Sequence, residues 1–164
     1  MSQVRAVARL LDAVLAIAIT LWVGALWSTG FLVAPLLFAT LDDRTLAGTV
    51  AGRVFEATAF AGMVCAVLVL AGLVFRHRAA VFRRVPFWLV VAMMVLTLVG
   101  HFGLLPVMAA LREQAYPQEV MRSVLGSSFA AWHAVARVIY LAQCLLGAAL
   151  VILMRAGGGN AARP

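Results

Sequence analysis

Few residues of this 164-residue chain could do chemistry, and they lie within or beside long apolar segments. Five are candidates for a ligand-binding site: Glu56, His101, His133, Arg137 and Tyr140. A charged or imidazole side chain is costly to bury in apolar surroundings, so its presence there needs either a partner or a function. Two properties decide between a partner and a function. They are the segment that carries each residue and the depth of the residue along that segment.

The composition excludes a water-soluble globular domain. Hydrophobic residues make up 65% of the chain and charged residues 12%, whereas soluble domains have about 45–50% and about 25%. All basic residues are arginines, and they give a net charge of +7. Because these arginines stand at the ends of apolar runs, they are expected to anchor in anionic lipid head groups and not to bind nucleic acid.

Four apolar runs predict an all-α membrane protein, a four-transmembrane-helix bundle in a single domain over residues 1–155. The predicted helices cover about 8–38, 43–76, 86–108 and 128–154, and 156–164 is predicted to be a disordered cytoplasmic tail. Pro35 is expected to kink the first helix, which is longer than a perpendicular span requires. Asp42 or Asp43 can cap the second helix, and Pro86 suits the first turn of the third.

The arginine distribution predicts the orientation. Eight arginines flank the N-terminus, the middle loop and the C-terminus, and four lie on the opposite side. This bias places both termini and the middle loop in the cytoplasm. Asp12, near the inner surface, is expected to pair with Arg9 or a loop arginine.

Small and aromatic residues carry further packing expectations. Gly48 with Gly52, and Gly62 with Ala66, have the four-residue spacing of close helix contacts in lipid. The four tryptophans are expected to lie mostly near the membrane interfaces: Trp22, Trp27, Trp88 and Trp132. Cys65 and Cys144 have no metal-binding or haem-attachment context and are expected to be free thiols.

The five candidate residues fall at similar depths. At 1.5 Å per helical residue, Glu56 lies roughly 30 Å from Arg76, while Arg137 and His133 lie roughly 27 and 33 Å from Arg155. His101 and Tyr140 both lie at roughly 22 Å. These depths predict an outer-leaflet polar pocket with Glu56 and Arg137 as a charge pair and His101 and Tyr140 beneath. The alternative is that Glu56, His133 and Arg137 are rim residues that snorkel to head groups and pair for structure.

The spacing of the histidines and methionines bears on two cofactors, haem b and copper. His101 and His133 differ by roughly 11 Å in height, so they do not suit the two axial positions of one haem b, although His101 with another ligand remains an option. Met94, His101 and Met108 recur every seven residues, which makes a ladder and not one copper coordination sphere. Motifs for nucleotide loops, zinc proteases and serine hydrolases are absent from the sequence, so enzyme chemistry of these types is not expected.

Several short motifs resemble a known family. Residues 21–24 (LWVG) and 31–38 (FLVAPLLF), with Gly48, Gly52 and Phe55, resemble the bacterial domain of unknown function 4149 family, which is similar to transmembrane protein 205. Residues 106–108, 111–112, 129 and 132–133 fit it too, and the likeness covers roughly residues 10–150. It implies a four-helix inner-membrane protein of undefined activity. A more distant resemblance is to copper-resistance D and HemJ-type proteins, but this chain lacks a histidine within its first two spans.

The sequence therefore predicts a four-helix membrane protein whose outer polar pocket binds a ligand or stabilises a partner. The alternatives are a haem-linked oxidoreductase of HemJ-like type with His101 as axial ligand, a copper-handling protein, and a purely structural bundle. The lipid bilayer is the expected surrounding, and a homo-oligomer or a membrane-protein partner is left open.

Overall fold

The computed structural model describes residues 2–104, 106–107 and 122–159, and its elements are helical. Helix α1 (Ser2–Ser28) continues through a π-helix (Thr29–Val33) into α2 (Ala34–Thr40). Helix α3 covers Arg44–His77 and is followed by a 3₁₀ helix over Arg78–Arg83. Helix α4 (Val85–Leu98) runs into a second π-helix (Val99–Leu104), and α5 covers Arg122–Gly159.

Four segments of the described chain are long and apolar enough to cross a membrane, which confirms the predicted fold class. They are Ala6–Thr40, Arg44–Arg83, Val85–Leu104 and Ala130–Arg155. Helix α5 continues through Gly159, four residues into the segment that was predicted to be a disordered tail. The rest of that tail, 160–164, lies outside the described residues.

Local sequence signals explain where the helices begin. The Asp43 carboxylate accepts hydrogen bonds from the backbone N–H groups of Thr45 (2.7 Å) and Leu46 (3.2 Å), so Asp43 is the N-cap of α3 as predicted. The cap satisfies donors that have no partner in the first turn of a helix. Pro86 lies in the first turn of α4, where its missing N–H costs nothing.

Both π-helices lie just before a proline. The first ends at Val33, two residues before Pro35, and the second ends at Leu104, two residues before Pro106. A proline within a helix cannot donate to the carbonyl four residues earlier, and its ring crowds that carbonyl. In the first span the backbone responds with one wider turn, closed by a hydrogen bond from the N–H of Ala34 to the carbonyl of Thr29. The predicted irregularity at Pro35 is thus a π-helix in the preceding turn.

The helices form a closed ring in which α1 contacts α3, α3 contacts α4, α4 contacts α5, and α5 contacts α1. Buried residues on α1 recur at helical spacing and face the centre of this ring: Leu15, Ala18, Ile19, Trp22 and Leu26. Helix α3 meets them with small side chains, and the contacts follow an antiparallel order. Gly72 lies beneath Leu15, Gly62 beneath Trp22, and Thr58 beside Thr29.

This packing corrects the expectation for Trp22, and it supports only one of the two pairs of small residues that were expected at close helix contacts. Trp22 is a core residue with 1% exposure, and not an interface anchor, because its indole fills the space that Gly62 leaves free. Gly62 and Ala66 are both buried, as the small-residue spacing predicted. Among the described residues, no atom of another helix lies within 4 Å of where a Cβ would stand on Gly52, so that glycine is not at a close contact there.

One ion pair joins α1 to α3 at the end of the bundle that carries the middle-loop arginines. Asp12 bonds Arg76, which confirms the expectation that it would pair with a loop arginine. Both side chains are about half exposed, so the pair contributes at most about 1 kcal/mol. It fixes which end of α1 lies beside which end of α3. Both cysteines are free, as expected, with Cys144 buried and Cys65 half-buried.

Candidate functional site

Tyr140 is the candidate residue with the most contacts to other helices. Its hydroxyl donates to the backbone carbonyl of Leu26 on α1, at 2.5 Å. Its ring packs edge-on against Phe55 of α3, with the ring centroids 5.1 Å apart, and covers Gly30 so closely that any Cβ there would overlap it. Tyr140 therefore connects α5 to both α1 and α3, which is a positioning role.

Glu56 has a different partner from the one predicted. Its carboxylate accepts a hydrogen bond from Arg53, three residues earlier on α3, at 3.1 Å. The predicted charge pair with Arg137 is not found among the ion pairs of residues 2–104, 106–107 and 122–159. Arg137 and His133 are exposed on α5. The sequence placed these residues at one depth, but depth alone did not identify the partner of Glu56.

His101 is the candidate with an unmet hydrogen-bonding requirement. It lies within the second π-helix, and its Nδ1 is buried without a hydrogen-bond partner among the described residues. The ring packs edge-on between Phe60 of α3 and Phe102, with centroids 4.8 and 4.7 Å apart. A buried polar atom without a partner costs about 1–3 kcal/mol. Such groups call for an explanation, and π-helices are frequent at functional sites.

Helix α3 brings Glu56 to the same side as His101. Phe60 contacts His101 and stands one turn from Glu56, about 6 Å along the helix axis. Phe60 and Phe102 are each more than half exposed, with 51% and 63% of their surface accessible. Glu56, Phe60 and His101 thus lie along the contact between α3 and α4, beside these exposed rings. We call these three residues with Phe102 the His101 groove.

Further polar contacts between helices were not singled out from the sequence. Thr29 and Thr58 share a buried hydrogen bond of 2.9 Å between their hydroxyl oxygens. Gln143 donates to the hydroxyl of Thr97 (2.8 Å) and to the carbonyl of Met93 (3.2 Å). Gln143 could have been identified from the sequence as a contact between helices, because the amide of a lone glutamine in an apolar run must find hydrogen-bond partners in lipid. The threonines gave none, since a helical threonine can bond its own backbone.

One tryptophan also ties two helices together. The indole N–H of Trp27 donates to the carbonyl of Cys144 at 3.3 Å, which joins α1 to α5 one turn from the Tyr140 contact. With the hydroxyl of Tyr140 and the Thr29–Thr58 pair, it makes a polar layer at the level of the first π-helix. This layer joins three of the four spans without a charged group.

The described residues around His101 give no support for a haem or copper centre. A metal-ligating histidine normally donates its second ring N–H to an acceptor, which fixes the ring. Among the residues that the structure describes, Nδ1 of His101 has no acceptor, and there is no group of three histidine, cysteine or acidic residues that could hold a metal ion. Met94 packs against the hydrophobic core, and Met108, the other methionine of the predicted ladder, lies outside the described residues.

The long apolar helices define the class of the molecule, a helical membrane protein with polar contacts between its spans. Residues 17–117 match the family described as Domain of unknown function (DUF4149). This match covers more than half of the chain, so the protein belongs to that family, and the resemblance inferred from the short motifs is confirmed. Searches of curated proteins and of solved structures find no match.

Proposed function

We propose that this protein is an integral protein of the bacterial inner membrane, with both termini and the loop over residues 78–84 in the cytoplasm. The arginine distribution supports this orientation, because loops rich in arginine are retained on the cytoplasmic side. The Asp12–Arg76 pair supports it as well, since it puts the start of α1 at the same end as the arginine-rich loop.

The orientation has a direct test by cysteine labelling. In a background with Cys65 and Cys144 replaced by alanine, single cysteines are introduced at the exposed positions Ala80 and Asp42. A membrane-impermeant maleimide added to intact spheroplasts should label D42C and leave A80C unlabelled until the membrane is permeabilised. Labelling of A80C and not D42C in intact spheroplasts would mean the reverse orientation.

We propose further that the outer half binds a small membrane-soluble ligand in the His101 groove. The unpartnered Nδ1 of His101 carries this proposal, because a polar group of a ligand would supply the missing hydrogen bond. The exposed rings of Phe60 and Phe102 suit an apolar or aromatic ligand body that enters sideways from the bilayer. Glu56, one turn from Phe60, offers a carboxylate for a second polar contact.

The other predicted site residues have supporting roles in this proposal. Arg137 and His133, both exposed on α5, would bind a polar head group at the membrane surface. Tyr140 positions α5 against α1 and α3 through Leu26 and Phe55. The proposed activity is ligand binding and not catalysis. The alternative is that the partner group belongs to another membrane protein or to a second copy of this chain.

His101→Phe separates ligand binding from a structural role. Phenylalanine keeps the aromatic contacts but removes the unpartnered nitrogen, so the delipidated variant should be more stable than wild type by about 1–3 kcal/mol. The same variant should lose a small molecule that copurifies with wild type in lipid nanoparticles. Native mass spectrometry detects the bound molecule, and denaturant titration measures the stability.

His77→Phe, the same change at the opposite end of the bundle, is the matched control and should keep the bound mass. If His101→Phe destabilises the delipidated protein and leaves the bound mass unchanged, His101 is structural and the ligand site is disproved. A loss of oligomer or of a copurifying protein, with no change in small molecules, would instead identify a protein partner.

A further inference from the structure

An apolar cleft lies beside the arginine-rich loop, at the end of the bundle away from His101. The cleft has a volume of about 480 Å³ and is lined by Val74, Phe75, Arg78, Ala79, Val81 and Phe82. Arg78 is the only charged residue of its lining. A second cleft of about 490 Å³ lies on the other side of Phe75, between α1 and α3. Phe75, with 74% of its surface exposed, separates the two clefts.

Positive charge at this end of the bundle is only partly neutralised. Arg76 is paired with Asp12 at the mouth of the second cleft. Arg78, Arg83 and Arg84 have no acidic partner within 4 Å in the part of the chain that the structure describes. An anion that reached Arg78 would therefore meet unneutralised charge, with an apolar surface directly below it.

The loop that carries these arginines is fixed in place. Val81 has no exposed surface and is part of the hydrophobic core. The indole N–H of Trp88 donates to the carbonyl of Phe82 at 2.9 Å, and the ring of Phe82 packs edge-on against Phe87. The cleft is thus preorganised, which lowers the entropy cost of binding.

Arg78 occupies a backbone conformation that favours glycine. Its φ is 47° and its ψ is −133°, and among described non-glycine residues it is the only one with positive φ. Residues held in such regions cost about 1–3 kcal/mol and tend to occur where the side chain is needed. An arginine thus lines the cleft despite this backbone strain.

We propose that this end of the bundle is a binding site for an anionic phospholipid. The guanidinium of Arg78 binds the phosphate, and Arg83 and Arg84 add attraction to the head group. One acyl chain lies in the cleft against Phe75. The apolar lining is what selects a lipid over free phosphate, because a free phosphate has nothing to place in the cleft.

The test measures lipid binding to the full-length protein in a neutral detergent by native mass spectrometry. Phosphatidylglycerol should bind more tightly than phosphatidylcholine, and added salt should reduce the difference. Arg78→Gln should weaken phosphatidylglycerol binding about fivefold. Arg78→Gly should weaken it equally while raising the melting temperature, because glycine relieves the backbone strain. Arg53→Gln, which removes an exposed arginine on the opposite side, should leave binding unchanged.

Phe75→Ala tests the acyl-chain contact and should weaken phosphatidylglycerol binding without changing the preference over phosphatidylcholine. Two results would overturn the proposal. Equal losses for Arg78→Gln and Arg53→Gln would mean unspecific attraction to the whole positive surface. Displacement of the lipid by millimolar inorganic phosphate, with Phe75→Ala having no effect, would mean a free-anion site.

Discussion

Replacing Gly62 with leucine should separate α1 from α3 and destabilise the protein by about 3–5 kcal/mol. A Cβ on Gly62 would stand 2.5 Å from the indole nitrogen of Trp22 and 2.9 Å from its neighbouring ring carbon. Trp22 is fully enclosed and cannot turn aside without opening the core, so the expected cost approaches that of losing a buried tryptophan. Denaturation in mixed detergent micelles measures the change in the free energy of unfolding.

Gly52→Leu is the matched control for this prediction. It makes the same change on the same helix, but in the part of the chain that the structure describes no atom of another helix lies within 4 Å of the position where its Cβ would stand. Since leucine is a better helix former than glycine, this variant should be neutral or more stable by up to about 1 kcal/mol. If both variants lose stability equally, helix flexibility and not the contact with Trp22 is the cause.

Truncation of Tyr140 should have the second large effect. Tyr140→Ala removes the hydrogen bond to Leu26 and the ring contacts with Phe55 and Gly30, and should cost about 3–5 kcal/mol. Tyr140→Phe removes only the hydrogen bond, and should cost about 0.5–1.5 kcal/mol, as expected for one hydrogen bond between membrane helices. The same micelle denaturation compares the two variants.

Leu141→Ala, at the next position of α5, provides the control because its side chain is exposed. It should change stability by less than about 1 kcal/mol, since lipid replaces the lost contacts. A cost for Tyr140→Ala no larger than that for Leu141→Ala would contradict the role of Tyr140 as the connection between α5 and the other helices.

Features encoded by adjacent residues were predictable from the sequence. The cap at Asp43, the proline that opens α4 and the four apolar spans depend on side-chain types within a few residues of each other. The pairing of Asp12 with a loop arginine was predictable as well, because a carboxylate close to the end of a span has few other partners. These predictions needed only sequence spacing and depth.

The directions of side chains around their helices were not predictable in the same way. Depth along an axis is obtained by counting residues, but a π-helix adds a residue to one turn and rotates the rest of the helix beyond that turn. His101 lies inside such a turn, so its pairing with Phe60 could not be obtained from a regular 3.6-residue period. The pairing of Glu56 with Arg53 could have been predicted from the sequence, because residues three apart on a helix are neighbours.

The two π-helical turns before Pro35 and Pro106 separate the tightly packed parts of α1 and α4 from the residues that follow. Most of the tightly packed side chains of α1 and α4, from Leu15 to Leu26 and from Val90 to Thr97, precede these turns. Moving the extra residue of either turn by one position along the helix would rotate the residue that it passes by about 100° and leave the chain beyond the turn in place. Such a local shift would reorient Thr29 or His101, which lie within these turns, while the rest of the assembly kept its shape. The protein thus has a tightly packed part and two adjustable turns, and His101 lies in one of these turns.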